Sequence, residues 1–158
     1  RLDRALERCD PDQLMLLGDA LHARSGRGGA AFEQIAAWRS SHAELAITLI
    51  RGNHDRGAGD PPAEWVFECV DAPFFLPPFA LCHAPAESPA GYVLAGHLHP
   101  VAQLRGAGRQ RLRLPCFWFG GRVGVLPAFG SFTGGAPIAP TPGDRVFVLA
   151  DDAVVEAT

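Results

Sequence analysis

The feature that most restricts the fold is a pair of short apolar runs separated by a segment with helical spacing. The runs at 13–17 and 45–50 have the length and composition of strands buried inside a sheet. Between them, residues 30–38 carry Ala, Phe, Ile and Trp at positions compatible with one helical face. A strand, a helix and a second strand in this order predict a right-handed crossover between two parallel strands.

The rest of the chain predicts a single α/β domain over residues 1–158. A helical pattern at 2–9 ends before Pro11. After residue 62 the helical spacing fades, and Gly and Pro residues separate short strand candidates. A βαβ start with a strand-rich second half predicts two mixed sheets packed as a sandwich flanked by helices. The strand candidates are residues 66–70, 79–82, 92–95, 111–119, 123–126 and 145–149.

Nothing in the sequence points to a membrane or to secretion. No apolar run approaches the roughly 18 residues that a membrane span requires, and no apolar segment follows the charged start as in a signal peptide. We therefore expect a cytoplasmic protein. The cysteines are widely spaced and form no CxxC pair, so we expect small core residues in a reducing compartment rather than disulfides or zinc ligands. They are Cys9, Cys69, Cys82 and Cys116.

The net charge of −3 argues against a uniformly basic nucleic-acid binder, but the charge is unevenly distributed. Residues 88–143 contain no Asp or Glu, while they include Arg105, Arg109, Arg111, Arg113 and Arg122. Because Arg109, Arg111 and Arg113 alternate, they would share one face of a strand, where they are candidates for contacting substrate phosphates. More often such a row is an ordinary solvated face.

Polar clusters follow four of the apolar strand candidates directly. They are Gly18 with Asp19, residues 52–55, His83, and residues 96–99. In an open α/β sheet the carboxyl ends of the strands converge on the ligand crevice, so these clusters are predicted to meet. They offer a carboxylate, an amide oxygen and imidazole nitrogens, a mixed set that suits Mn, Fe or Zn better than Ca or Mg. The sequence therefore predicts a metal site.

In their order along the chain, these clusters match Gly-Asp, Gly-Asn-His-Asp, a lone His after a strand, and Gly-His-x-His. The chain thereby resembles the calcineurin-like metallophosphoesterases over nearly its whole length. Residues 18–22, 51–56, 91–100 and 114–119 are similar to the bacterial ligase-associated DNA-damage-response endonuclease branch. The resemblance implies the four-layer αββα fold of that superfamily and metal-dependent hydrolysis of a phosphodiester.

The resemblance also implies a role for each matched residue. Two divalent cations, most often Mn²⁺, would be bridged by Asp19, with Asn53, His83 and His97 completing one coordination sphere and His99 serving the other. His54 would act on the leaving oxygen as a catalytic residue, and Asp55 would hold its ring. The implied substrate is DNA in a repair setting, with a repair ligase and a helicase as partners.

The resemblance is incomplete at the start of the chain. The superfamily opens with Asp-x-His on its first strand, and neither Asp3, Asp10 nor Asp12 is followed two positions later by His. We therefore expect the first strand of the fold to be missing, through truncation or natural loss. One metal position would then keep only Asp19 and His99 as ligands.

Other interpretations stay open from the sequence. A small phosphodiester or nucleotide would use the same ligands as DNA, and a non-catalytic binding module would keep the fold alone. Taken singly, Asp19 is explained by a turn and His83 by a satisfied core histidine. His22 is a candidate substrate contact or a loop residue bonded to nearby backbone. Residues 117–119 are better explained as core than as a platform for base stacking.

Overall fold

A computed structural model of the chain describes residues 1–21, 29–105, 108, 111–130 and 133–157. The chain divides into two compact units, Arg1–Asp71 and Ala72–Thr158. The expectation of one domain stays a prediction, as does the face-to-face packing of the sheets. None of the helices in the described ranges has both the length and the apolar character that crossing a membrane requires.

The first unit contains a parallel sheet in the order β1-β2-β3, and the predicted βαβ start is confirmed. The middle strand is buried over residues 47–50, whereas β1 lies at the outside of the described sheet and is only half-buried, against the expectation of burial on both faces. The elements are α1 (Leu2–Cys9), β1 (Gln13–Leu16), α2 (Ala30–Ser41), β2 (Ala46–Ile50), α3 (Asn53–Ala58), a 3-10 turn (Ala63–Trp65) and β3 (Phe67–Val70).

The second unit is built on a mixed sheet. Its main order is β10-β7-β8-β9-β6-β5-β4, with β11 paired to β8 and β12 paired to β11. The predicted α/β class with two sheets is confirmed, although the described strands of the first sheet are all parallel. The strands are β4 (Phe74–Leu76), β5 (Phe79–Cys82), β6 (Tyr92–Ala95), β7 (Pro100–Arg105), β8 (Arg111–Phe119), β9 (Val123–Val125), β10 (Ala136–Pro137), β11 (Arg145–Ala150) and β12 (Ala153–Ala157).

Four strands of this sheet were not predicted: β4, β7, β10 and β12. Two of them are only two or three residues long, and β7 begins at a proline, which propensity rules disfavour within a strand. The fourth, β12, is largely exposed and therefore lacks the apolar pattern of a buried strand. These strands form because they pair with neighbouring strands, so no local sequence signal predicts them.

The prediction that the cysteines are core residues holds for two of the four. Cys82 and Cys116 are buried, Cys69 is half-buried, and Cys9 is exposed at the end of α1, so the prediction was wrong for Cys9. Burial raises the pKa of the Cys82 thiol, because the apolar surroundings disfavour the charged thiolate. Trp118 packs against the buried Cys116 cluster, as expected for a core residue.

A carboxylate directly before β11 ties the preceding loop to Trp118 of β8. The Asp144 side chain accepts hydrogen bonds from the Thr141 amide at 2.9 Å and from the Trp118 indole N–H at 2.9 Å. These donors lower the pKa of Asp144 below its ordinary value of 3.8, because they favour the charged carboxylate.

The lowered pKa of Asp144 predicts a component of acid sensitivity. The carboxylate stabilises the fold at pH values above 3.8, and this contribution is lost as pH falls through the lower folded-state pKa. Urea unfolding midpoints should therefore fall less steeply on acidification in Asp144→Asn than in the wild type. The exposed Asp152→Asn serves as a matched change, and identical profiles for wild type and Asp144→Asn would contradict the assignment.

Candidate functional site

Two of the predicted polar clusters lie at one edge of the first sheet. Because β1 and β2 run parallel, with Leu16 opposite Leu49, the residues that follow them leave the sheet at the same edge. Asp19 follows β1, and the segment 52–55 follows β2 and begins α3. The topology therefore brings the Gly-Asp and Gly-Asn-His-Asp motifs together within this unit.

The fully buried carboxylate of Asp55 fixes the geometry of this edge. It accepts hydrogen bonds from the backbone amides of Asp19 at 2.6 Å, Leu21 at 3.0 Å and Gly52 at 2.9 Å. The Gly52 contact caps α3, while the other two hold the loop that follows β1. Three donors satisfy a charge that would be costly to bury without partners.

A reciprocal contact runs from the helix to the loop. The His54 amide donates to Oδ1 of Asp19 at 3.0 Å, so the backbone of one motif binds the side chain of the other. In the resulting arrangement Asn53 is exposed, while Asp19 and His54 are half-buried. The recorded hydrogen bonds of Asp55 go to backbone amides, and its expected role in holding the His54 ring stays a prediction.

In the second unit, parallel pairing brings two of the predicted histidines into contact. Strands β5 and β6 pair with Cys82 opposite Ala95, so His83 emerges beside Gly96. The Gly96 amide donates to the carbonyl of His83 at 2.9 Å. Beyond it, Nδ1 of His97 lies 3.0 Å from Nε2 of His83, and the rings meet edge to face.

The separation of these two nitrogens fits a shared cation. Two ligands at right angles on one cation, each about 2.1 Å from it, lie about 3.0 Å apart. The same separation also fits a hydrogen bond in which one imidazole donates to the other. His83 is only 7% exposed while His97 is exposed, so the pair has one buried partner and one that solvent can reach. The donor chemistry and geometry are therefore suitable for a transition metal.

His99 is oriented by a glycine segment of the same unit. Its Nδ1 lies 3.1 Å from the carbonyl oxygen of Gly134, and its own carbonyl accepts from the Ala136 amide at 3.1 Å. Since a carbonyl only accepts, this contact requires the proton on Nδ1 and leaves the Nε2 lone pair for a ligand. A backbone carbonyl in this position is the usual orienting partner of a metal-binding histidine.

The predicted ligands Asp19, His97 and His99 share an unusual backbone conformation. Their φ angles are 57°, 64° and 47°, in the left-handed region that residues other than glycine rarely adopt. Asp10 and Val66 also have positive φ, but each ends a helical segment, where this conformation is common. Non-glycine residues held in this region cluster at functional sites, which supports a functional role for the three ligands.

The remaining predicted contacts are only partly described. His22 and Arg109 lie outside the described residues. Arg111 and Arg113 are exposed on β8, and Arg113 donates to the carbonyl of Gly135 at 2.9 Å. This contact adjoins Gly134, which orients His99, so it links Arg113 to the candidate site of this unit.

Several residues that organise the site were not predicted from the sequence. The amides of Leu21 and Gly52 and the carbonyl of Gly134 act through backbone groups, which every residue type carries. The Gly134–Gly135 pair was visible in the sequence, but only the parallel pairing of β10 with β7 brings it to His99. A Cβ on Gly135 would meet Val101 at 2.2 Å, which explains the glycine there.

The fold and the donor groups define a class of protein: an α/β chain whose parallel strands end in carboxylate, amide and imidazole groups suited to metals. No protein-family model matches the chain, and no curated protein matches it. A solved structure does, that of the Pseudomonas putida nuclease MPE. It shares 51% sequence identity with a TM-score of 0.87, over 94% of this chain and 72% of the nuclease. The chain belongs to the family of this nuclease.

Removing the charge of Asp55 should destabilise the first unit. In Asp55→Asn the side chain loses the capacity to accept all three amides, so the free energy of unfolding is expected to fall by about 3 kcal/mol. Urea denaturation followed by circular dichroism measures the change. The control is Asp60→Asn, which removes an exposed partner of Arg51 and should cost less than about 1 kcal/mol. Equal losses in the two variants would be incompatible with this role of Asp55.

Proposed function

We propose that the chain is a metal-dependent nuclease of the calcineurin-like metallophosphoesterase superfamily, in its ligase-associated branch. The observation that carries the proposal is the 3.0 Å approach of the His83 and His97 nitrogens at the ends of two parallel strands. The relationship to a nuclease at 51% identity supports the type of reaction. The order of the motifs along the chain supports the superfamily.

The proposed ligands are the residues that match the motifs of the superfamily. By the resemblance, Asp19, Asn53, His83, His97 and His99 would bind the cations. Oxygen and imidazole donors without thiolate favour Mn²⁺, with Fe or Zn as alternatives. When bound, such cations polarise a phosphoryl oxygen and lower the pKa of a coordinated water. Of these matched residues, Asp19, Asn53, His83 and His97 would serve one position, and Asp19 and His99 would serve the other.

His54 is the proposed proton donor of the reaction. When a phosphodiester is hydrolysed, the bond from phosphorus to the leaving oxygen breaks, and that oxygen needs a proton. The amide of His54 is bound to the carboxylate of Asp19, so its position is coupled to that of the proposed bridging ligand. Asp55 contributes by holding the backbone of the loop that carries Asp19 and the backbone at the start of α3, rather than by touching the substrate.

The proposed biological setting follows from the resemblance. The substrate would be DNA undergoing repair in the cytoplasm, with a repair ligase and a helicase as partner proteins. The absence of Asp and Glu from residues 88–143 supports a polyanionic substrate, because no carboxylate of that segment opposes the phosphates.

Metal binding tests the shared ligand set. Isothermal titration of the metal-free chain with Mn²⁺ should show tight binding that Asp19→Asn and His97→Ala each weaken by at least about 10-fold, since each removes a ligand. His42→Ala is the matched control, because His42 ends α2 and contacts Trp38 instead. If Asp19→Asn binds Mn²⁺ as tightly as the wild type, Asp19 is not a ligand and the proposed set is wrong.

Hydrolysis tests the role of His54. With Mn²⁺ and an oligonucleotide, His54→Ala should lower kcat by about 10²- to 10⁴-fold while leaving Mn²⁺ affinity unchanged, because the alkoxide leaving oxygen of DNA needs the proton that the variant can no longer donate, and no ligand is lost. EDTA should abolish turnover. The assay is run on residues 1–158 and on a longer chain that supplies Asp-x-His ahead of Arg1. Full activity of His54→Ala, or an inert longer chain, would refute the proposed mechanism.

A further inference from the structure

The hairpin formed by β7 and β8 has two chemically different faces. In its register Arg105 pairs with Arg111 and Gln103 with Arg113, and residues opposite each other on antiparallel strands point to the same side. These four side chains form what is here called the basic face. The intervening pairs, Leu104 with Leu112 and Ala102 with Leu114, occupy the other side.

The apolar side of the hairpin is the one used for packing. Ala102 belongs to a buried cluster with Cys116, Val146 and Val148, against which Leu114 also packs. The basic face is therefore turned away from this core, and all four of its residues are exposed. A shallow hollow on the hairpin is lined by Gln103, Leu104, Arg105, Arg111, Leu112 and Arg113.

The basic face is not neutralised by the unit that carries it. Arg105 stands directly opposite Arg111, and like charges in that position destabilise a sheet. Within the described ranges no ion pair involves Arg105, Arg111 or Arg113, and residues 88–143 contain no carboxylate. Arg145, by contrast, pairs with Glu156 at 2.8 Å. Stability alone gives no reason to place these arginines side by side, whereas an anionic ligand does.

The basic face begins next to a proposed metal ligand. Arg113 donates to the carbonyl of Gly135, and the neighbouring carbonyl of Gly134 contacts His99. From His99 the chain enters β7 and reaches Arg105 six residues later, which is about 20 Å along an extended strand. A single small phosphodiester held at His99 cannot extend to Arg105, but a polynucleotide strand can.

We propose that the basic face binds the sugar-phosphate backbone of the DNA strand that is cleaved, along a path from His99 past Arg113 to Arg105 and Arg111. This inference rests on the proposed nuclease function and specifies its substrate as a strand rather than a small phosphodiester. The guanidinium groups contact phosphates and carry no base specificity.

The test compares two variants with the same loss of charge. Arg105→Gln/Arg111→Gln removes the outer cations and spares Arg113, which contacts the segment that orients His99. Arg4→Gln/Arg8→Gln removes two exposed arginines from α1 instead. Binding of a fluorescent single-stranded oligonucleotide is measured by anisotropy in EDTA over a range of salt concentrations. Hydrolysis of the oligonucleotide and of bis(p-nitrophenyl) phosphate is measured with Mn²⁺.

The first variant should bind the oligonucleotide about 10-fold more weakly at low salt. Its plot of log K against log salt should be flatter by about 1.4, since each lost contact to a single strand removes about 0.7 from the slope. Hydrolysis of the oligonucleotide should fall more than hydrolysis of the small diester, and the α1 variant should match the wild type in every assay.

The two proposals fail in different ways. Equal salt slopes for Arg105→Gln/Arg111→Gln and the wild type would overturn the role of the basic face, even if the small diester is cleaved. A slope reduced to the same extent in the α1 variant would overturn it as well, because the effect would then be one of net charge. Absence of hydrolysis of either substrate by the longer chain that supplies Asp-x-His would overturn the nuclease proposal, and the binding slopes would still decide the basic face.

Discussion

Parallel pairing of strands is the constraint on which the candidate site depends. Two parallel strands end at the same edge, so whatever follows each of them in the chain is brought together there. Between β5 and β6 the register sets Cys82 opposite Ala95 and delivers His83 and His97 to a 3.0 Å contact. Slipping this register by one residue would turn the alternating side chains to the opposite face. The strands must therefore be buried and fixed before the site can exist.

At the end of the first sheet, a buried carboxylate holds the backbone segments that carry predicted site residues. The carboxylate of Asp55 is buried, yet its partners are backbone amides of the loop that carries Asp19 and of the helix start that carries His54. Its charge is thus used to hold two peptide segments. The left-handed backbone of Asp19, His97 and His99 costs free energy, and such fixed surroundings are what keep it populated. The strained backbone of these residues therefore depends on the rigid contacts around it.

The hairpin of β7 and β8 shows how one register serves two purposes. Because side chains alternate, a strand with arginines at every second position presents them on one face and leaves the other for the core. Ala102 and Leu114 use that second face. The contact of Arg113 with Gly135 then connects the charged surface to the segment that orients His99. Packing, charge and the candidate site are therefore coupled through a few backbone contacts.

Much of this protein was determined by local sequence. The apolar runs and the helical spacing predicted α1, β1, α2 and β2, because these signals act within a few residues. The donor types at Asp19, Asn53 and the histidines were readable for the same reason, since ligand chemistry belongs to the side chain itself. The alternation of the arginines on β8 was also visible.

Tertiary structure alone decided the rest. The contacts of Asp55 with the amides of Asp19 and Leu21, and of His99 with the carbonyl of Gly134, join segments distant in the chain. Backbone amides and carbonyls are the same in every residue, so the sequence carries no mark of which ones will be used. Short strands such as β10 likewise form only because a neighbour offers hydrogen bonds. What depended on side-chain identity was readable from the sequence, and what depended on backbone groups meeting across the fold was not.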